Sequence, residues 1–218
     1  MNELELKQLW QSTNEKLEED YVIHKESTKD IAQVKVHSMI GSMKPIKTFA
    51  LMVGFLWVGV GGIVLGEIYL NSFSEANKFF LFSASAQIVL TGIALFVYLY
   101  QLIMIYRVDV TDHILHTQET LSKLKISTLW VTRILFLQLP VWTTFWWNET
   151  MLVEWSTLQW AAVMFFTVSF TAIALWLFFN IKYENRHKQW FQLIFKGKEW
   201  IPLMKSMELL EQVNEYKE

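Results

Sequence analysis

The chain has 218 residues, 53% of them hydrophobic, and it contains no cysteine. The absence of cysteine excludes disulfide bonds, thiolate metal sites and cysteine nucleophiles. A formal net charge of −2 provides no concentrated basic face, so no nucleic-acid partner is expected.

The N-terminal segment, residues 1–45, is polar and carries helical patterns. Its first twenty residues are acidic and amphipathic, which does not fit a signal peptide. Within residues 3–19, apolar side chains recur at spacings of three and four, which predicts an amphipathic helix. A second, weaker helical pattern covers residues 28–43, and Pro45 is expected to end it. The candidate partner-binding residues on the first helix are Leu6, Leu9, Trp10 and Leu17.

Four stretches are apolar enough to cross a lipid bilayer. A helix rises about 1.5 Å per residue and the hydrocarbon core is about 30 Å thick, so about 20 apolar residues span it. A helix also satisfies its own backbone hydrogen bonds where water is absent. The prediction is an all-α polytopic membrane protein with a four-helix transmembrane bundle. The predicted spans are residues 46–69, 79–106, 126–147 and 156–181.

The first span is rich in glycine. Gly62 and Gly66 form a GxxxG pair, and Gly59 lies on a neighbouring line of the same helix. Small residues at this spacing let a second helix approach closely, which stabilises helix packing in lipid. These three glycines are therefore candidate packing residues, either against another span or against a second copy in a homo-oligomer.

The connection between the second and third spans contains the one constellation that resembles a metal site. If the second span continues as a helix, two carboxylates and two imidazoles share one face. Such side chains can bind a divalent metal, although exposed helix extensions commonly carry the same groups for solvation. The candidate ligands are Asp109, Asp112, His113 and His116. No other cofactor is expected.

Few polar groups lie inside the spans. Arg133 is the one full charge well within a span, and its long side chain is expected to reach the interface. The alternative is a polar path formed with Gln87, Gln138 and Gln159, as in a small oligomeric channel or transporter. Pro140 predicts a kink in the third span.

The C-terminal segment, residues 182–218, mixes aromatic and basic residues. This mixture over residues 183–195 predicts a helix at the inner membrane surface, and Gly197 is expected to end it. A final amphipathic helix is predicted from Pro202, with Leu203, Met207 and Leu210 on one stripe. The two polar ends either lie on lipid, pack on each other or bind another chain.

Basic residues predict the orientation. Seventeen lie in the two end segments and the middle connection, against one in the two outer connections. Because basic flanks resist translocation, both termini are expected in the cytoplasm, with membrane lipid around the spans. Five tryptophans near the second outer connection fit the opposite interface: Trp142, Trp146, Trp147, Trp155 and Trp160.

The opening Leu6-Lys7-Gln8-Leu9-Trp10, with Asn14, Lys16, Leu17 and Glu18, resembles the start of small polytopic membrane proteins of Bacteroidota-type bacteria. Lys44, Pro45 and Lys47 before a span with Gly54 and Trp57 extend this resemblance over about the first sixty residues. It implies a bacterial inner-membrane location and a partnership with cytoplasmic regulators. It supplies no catalytic residue.

No catalytic motif can be assembled from the sequence, so the expected function is not enzymatic. We predict a membrane-anchored regulatory or scaffold protein whose helices at residues 3–19 and 202–215 bind a cytoplasmic protein. The alternatives are a small channel or transporter and, more remotely, a metal-dependent enzyme at Asp109–His116.

Overall fold

A computed structural model describes residues 3–108, 114–197 and 200–215. In these ranges the regular secondary structure is helical, in agreement with the predicted all-α class. The elements are α1 Glu3–Gly41, α2 Lys44–Asn71, α3 Lys78–Arg107, α4 Ile114–Phe136, α5 Leu139–Thr144, α6 Glu149–Glu154, α7 Thr157–Asn180, a 3₁₀ turn at Tyr183–Asn185, α8 Gln189–Ile194 and α9 Trp200–Glu215.

Four helical segments are long and apolar enough to cross a membrane, as predicted. Large apolar side chains cover most of their outer surfaces, among them Leu56, Ile63 and Phe96. A continuous exposed apolar surface of this extent marks contact with lipid or with other protein. The four segments are Asp30–Asn71, Lys78–Arg107, His116–Thr144 and Thr157–Asn180.

The spanning helices form a row. Helix α2 packs mainly on α3, α3 packs on α4 and α5, and α4 and α5 pack on α7. The middle of the row is therefore α3 with α4 and α5, while α2 and α7 lie at its edges. Because α2 has one main neighbour, most of its circumference is exposed.

The face of α2 that meets α3 follows a heptad spacing. Lys47, Leu51 and Leu65 are buried along it. A Cβ atom at Gly54 would overlap the side chain of Leu95, and one at Gly61 would lie 3.0 Å from a methyl carbon of Ile88. Glycine thus makes room for Leu95 at position 54 and, less strictly, for Ile88 at position 61.

The three glycines predicted as packing residues lie elsewhere on α2. A Cβ atom at Gly59, Gly62 or Gly66 would meet no atom of another part of the described chain within 4 Å. Their predicted role therefore stays a prediction, and this face of α2 does not contact α3.

Helix boundaries differ from the predicted ones at both polar ends. In place of the helix predicted over residues 183–195, the chain forms the 3₁₀ turn Tyr183–Asn185 and the short helix α8, and α9 begins at Trp200 rather than at Pro202. The two N-terminal helical patterns form one helix, α1, because residues 20–27 contain no glycine or proline that would interrupt it. The break falls at Ser42–Met43, and Pro45 lies in the first turn of α2, where its missing N–H costs no hydrogen bond.

The predicted kink in the third span is confirmed. Helix α4 ends at Phe136, and α5 begins at Leu139 with Pro140 in its first turn. The N–H groups of Leu137 and Gln138 donate to carbonyls three residues earlier, at 3.1 Å each. This tighter turn joins the two helices of the span.

The best-packed core lies at one end of the row, which we call the packed end. Here the second half of α1 meets the end of α3, the start of α4, the end of α7 and helices α8 and α9. The end of α3, the start of α4 and the described helices of both polar ends therefore lie on the same side. The core residues include Val36, Ile40, Ile105, Leu124, Ile181, Phe191 and Leu203.

Aromatic rings gather at the other end of the row. Phe79 and Trp160 both contact Trp147, with ring centroids 5.7 and 5.8 Å apart. Asn77 is the N-cap of α3: its side-chain oxygen accepts hydrogen bonds from the backbone N–H groups of Phe79 and Phe80. Its side-chain nitrogen donates to the carbonyl oxygen of Trp147, at 2.5 Å. These contacts attach the α5–α6 connection to the start of α3.

Candidate functional site

The second half of α1 is fixed in the packed end. Ala32, Val36, Ile40 and Met43 recur at spacings of three and four, and all four are buried. Helix α1 packs along α9 and also contacts α3. The base of α1 is thus held by the core of the same chain.

The apolar stripe of α9 packs against other helices of the same chain. Leu203 is fully buried, Met207 packs against the core, and α9 contacts both α1 and α4. The side chain of Leu210 lies outside the described residues. The polar ends were predicted to lie on lipid, to pack on each other or to bind another chain, and the described contacts between α1 and α9 are those of mutual packing. Leu203 and Met207 are therefore covered by the same chain.

The first half of α1 exposes large apolar side chains. Trp10 is 70% exposed and Leu17 is 62% exposed. They are seven residues apart, so they share one face of the helix. Leu6 and Leu9 belong to the same helix, but their side chains lie outside the described residues. The predicted partner-binding stripe is therefore exposed at the two positions that the structure describes.

A buried polar network joins three spanning helices near the packed end. The Nζ of Lys47 on α2 donates to Oε1 of Gln101 on α3, at 2.6 Å. The Nε2 of Gln101 donates to Ser127 Oγ on α4, at 2.9 Å. Lys47 and Gln101 are fully buried, and the Lys47 ammonium also lies 4.4 Å from the centroid of the Tyr98 ring.

This network lies close to the C-terminal end of α1. Only Ser42 and Met43 separate α1 from α2, which carries Lys47 near its start. Lys44, in the first turn of α2, lies 4.5 Å from the centroid of the Tyr106 ring on α3. Sequence reasoning treated Lys47 as a flanking charge and missed the network.

Arg133 has a structural role at the end of α7. Its Nε donates to the carbonyl oxygen of Ile181, at 2.7 Å, and its guanidinium lies 5.1 Å from the centroid of the Trp130 ring. Ile181 is the C-cap residue of α7, directly after Asn180. Carbonyls at a helix C-terminus lack intrahelical donors and carry partial negative charge, so a cation there stabilises the helix.

We expect Arg133→Leu to lower the free energy of unfolding by about 1 kcal/mol, because the Ile181 carbonyl loses a charged donor. Arg133→Lys keeps the charge and should recover part of that loss. Thermal unfolding in detergent, followed by tryptophan fluorescence, measures both variants. Equal stability of Arg133→Leu and the wild type would contradict this role.

The glutamines of the proposed polar path have separate roles. The side-chain amide of Gln138 donates to Thr91 Oγ1 on α3, at 3.0 Å. Gln87 also lies on α3, where its side chain is buried. Gln159 instead forms a capping box with Ser156 at the start of α7. Gln138 and Gln87 thus both lie at α3, whereas Gln159 lies at the start of α7, and the polar path stays a prediction.

The predicted metal site falls largely outside the described residues. Asp109, Asp112 and His113 all belong to the segment between residues 108 and 114, and His116 is exposed near the start of α4. In the part of the chain that the structure describes, no three His, Asp or Glu side chains are grouped to hold a metal. The site remains a prediction from the sequence.

No known protein family matches this chain, and neither a curated protein nor a solved structure does. Fold-level analogy is therefore absent, and function must be argued from the exposed and buried groups themselves. The strongest of these features is α1: its C-terminal half packs in the core, and its N-terminal half exposes large apolar side chains.

Proposed function

We propose that this protein is a regulatory or scaffold component of the bacterial inner membrane, and that it binds a cytoplasmic protein through the first half of α1. The observation that carries the proposal is the exposure of Trp10 and Leu17 on a helix whose base is buried in the packed end. The excess of basic residues in the polar ends supports a cytoplasmic position for this helix.

The charge of α1 favours a protein partner over lipid. Residues 3–20 contain six acidic and two basic side chains. Helices that lie on a membrane surface are usually rich in lysine and arginine, because the cytoplasmic leaflet is anionic. An acidic helix is repelled by that surface, so its apolar face is better suited to a protein groove with basic residues at its rim.

The length of α1 gives the binding surface a defined reach. Trp10 and Val36 are 26 residues apart, which corresponds to about 40 Å along a helix. A continuous helix therefore holds the exposed face well away from the packed core. This geometry suits a protein that recruits a partner to the membrane at a fixed distance from it.

We expect Trp10→Glu/Leu17→Glu to weaken partner binding by about 30-fold or more, since a buried tryptophan anchor typically contributes over 2 kcal/mol. The test uses the full-length protein expressed in a bacterial membrane, with a photoreactive residue at position 14 and quantitative mass spectrometry of the cross-linked proteins. Asn14 is exposed beside the two apolar residues.

The matched control is Lys16→Glu, which makes the same change in net charge on another face of α1. Lys16 is exposed, so this variant should keep the cross-linked partner. The same set of cross-linked proteins from the wild type and from Trp10→Glu/Leu17→Glu would refute partner binding by this face.

A further inference from the structure

A basic cavity opens at the packed end, between the segment that follows α7 and helix α9. Its volume is about 390 Å³. Phe195 and Trp200, both nearly buried, form its floor. Among the described residues that line it, Glu208 is the acidic one. The basic residues of the lining are Arg186, His187, Lys196 and Lys205.

A second cavity, of about 400 Å³, adjoins the first, and Phe195 and Trp200 line both. The second cavity is lined by α2, through Ile46, Phe49 and Ala50, and by α4, through Thr128 and Thr132. It carries no charged side chain among its described lining residues. A cationic cavity thus adjoins an uncharged, mainly apolar one beside the spanning helices.

The basic cavity lies beside the end of α7, where a spanning helix would meet the lipid headgroups. Asn185 donates its amide to the carbonyl of Asn180, at 2.7 Å, which folds the chain back against the end of α7. The Arg186 guanidinium lies 4.4 Å from the centroid of the Tyr183 ring, which orients it. On α8, Leu193 is 75% exposed, as expected for a helix that rests on the acyl layer.

We infer that this pair of cavities binds an anionic phospholipid of the inner leaflet. Arg186, Lys196 and Lys205 bind the phosphate, whose oxygens accept charge-assisted hydrogen bonds from guanidinium and ammonium groups. One acyl chain occupies the apolar cavity beside Phe49. A soluble phosphate would satisfy the basic residues alone, whereas the adjoining apolar cavity matches only a lipid. This site is independent of the partner-binding face on α1.

The test is a titration of the purified full-length protein in a non-ionic detergent. The probes are dioctanoyl phosphatidylglycerol, dioctanoyl phosphatidylcholine and inorganic phosphate, and native mass spectrometry measures the bound ligand. We expect Arg186→Ala/Lys205→Ala to weaken phosphatidylglycerol binding by about 30-fold, since each basic group near an anionic headgroup contributes about a factor of five. The control Lys7→Ala/Lys16→Ala removes equal charge elsewhere and should bind normally.

A second variant, Ala50→Leu, reduces the apolar cavity without changing its charge. It should weaken phosphatidylglycerol binding and leave any binding of inorganic phosphate unchanged. Equal affinity for phosphatidylcholine, or full lipid binding by Arg186→Ala/Lys205→Ala, would overturn the inference. Saturable binding of inorganic phosphate that phosphatidylglycerol does not compete away would overturn it as well.

Discussion

Gln101→Leu is expected to lower the free energy of unfolding by about 3 kcal/mol or more, which exceeds the loss from Lys47→Met. Gln101 accepts the Lys47 ammonium at 2.6 Å, and both side chains are fully buried. When leucine replaces Gln101, the buried charge loses this acceptor and the desolvation penalty of an ion is only partly offset.

Lys47→Met removes the charge itself and keeps most of the volume. The remaining loss is one unpaired amide oxygen on Gln101, which costs about 1–3 kcal/mol for a neutral group. In Lys47→Met/Gln101→Leu neither polar partner remains, so this double variant should be more stable than Gln101→Leu alone. The network thus predicts a strong, favourable coupling between the two substitutions.

The measurement is unfolding in mixed micelles with a rising fraction of SDS, followed by tryptophan fluorescence. Gln118→Leu, at a partly exposed position of α4, is the matched control and should change stability by less than about 0.5 kcal/mol. Strictly additive effects of Lys47→Met and Gln101→Leu would show that the 2.6 Å contact does not couple the helices.

The spans were predictable because the absence of charge over about 20 residues leaves few other structures for the chain. Each predicted span overlaps an apolar helix, and Pro140 marks the interruption in the third. The helix around Trp10 followed from helical periodicity in the same way, whereas the exposure of Trp10 did not. These features depend on the local composition of the chain, which a single sequence provides.

The contacts between helices were not predictable from the same information. The spacing of the glycines shows which of them share a face of α2, but it does not predict which of these faces packs against α3. Gly54 and Gly61 lie against α3, whereas the predicted packing residues Gly59, Gly62 and Gly66 lie on another line of α2 and remain a prediction. Lys47 and Gln101 are 54 positions apart, so their pairing leaves no local pattern that a single sequence displays.

Gly54→Ile is expected to lower the free energy of unfolding by about 2–3 kcal/mol, because the new side chain overfills the α2–α3 interface. A Cβ atom at this position already overlaps the side chain of Leu95. Leu95 is itself nearly buried, which limits its freedom to move aside. Unfolding by SDS, as for Gln101→Leu, measures the loss.

Gly59→Ile is the matched control, since a Cβ atom there meets nothing within 4 Å. Its unfolding free energy should change by less than about 0.5 kcal/mol. If the face of Gly59 binds a second copy, this variant instead lowers the dimer fraction measured by light scattering, without affecting the fold. Leu95→Ala should lower stability less in the Gly54→Ala background than in the wild type, because the smaller side chain makes room for the new methyl group. Equal losses at positions 54 and 59 would mean that lipid-exposed and helix-facing glycines of α2 are equivalent, contrary to the packing described above.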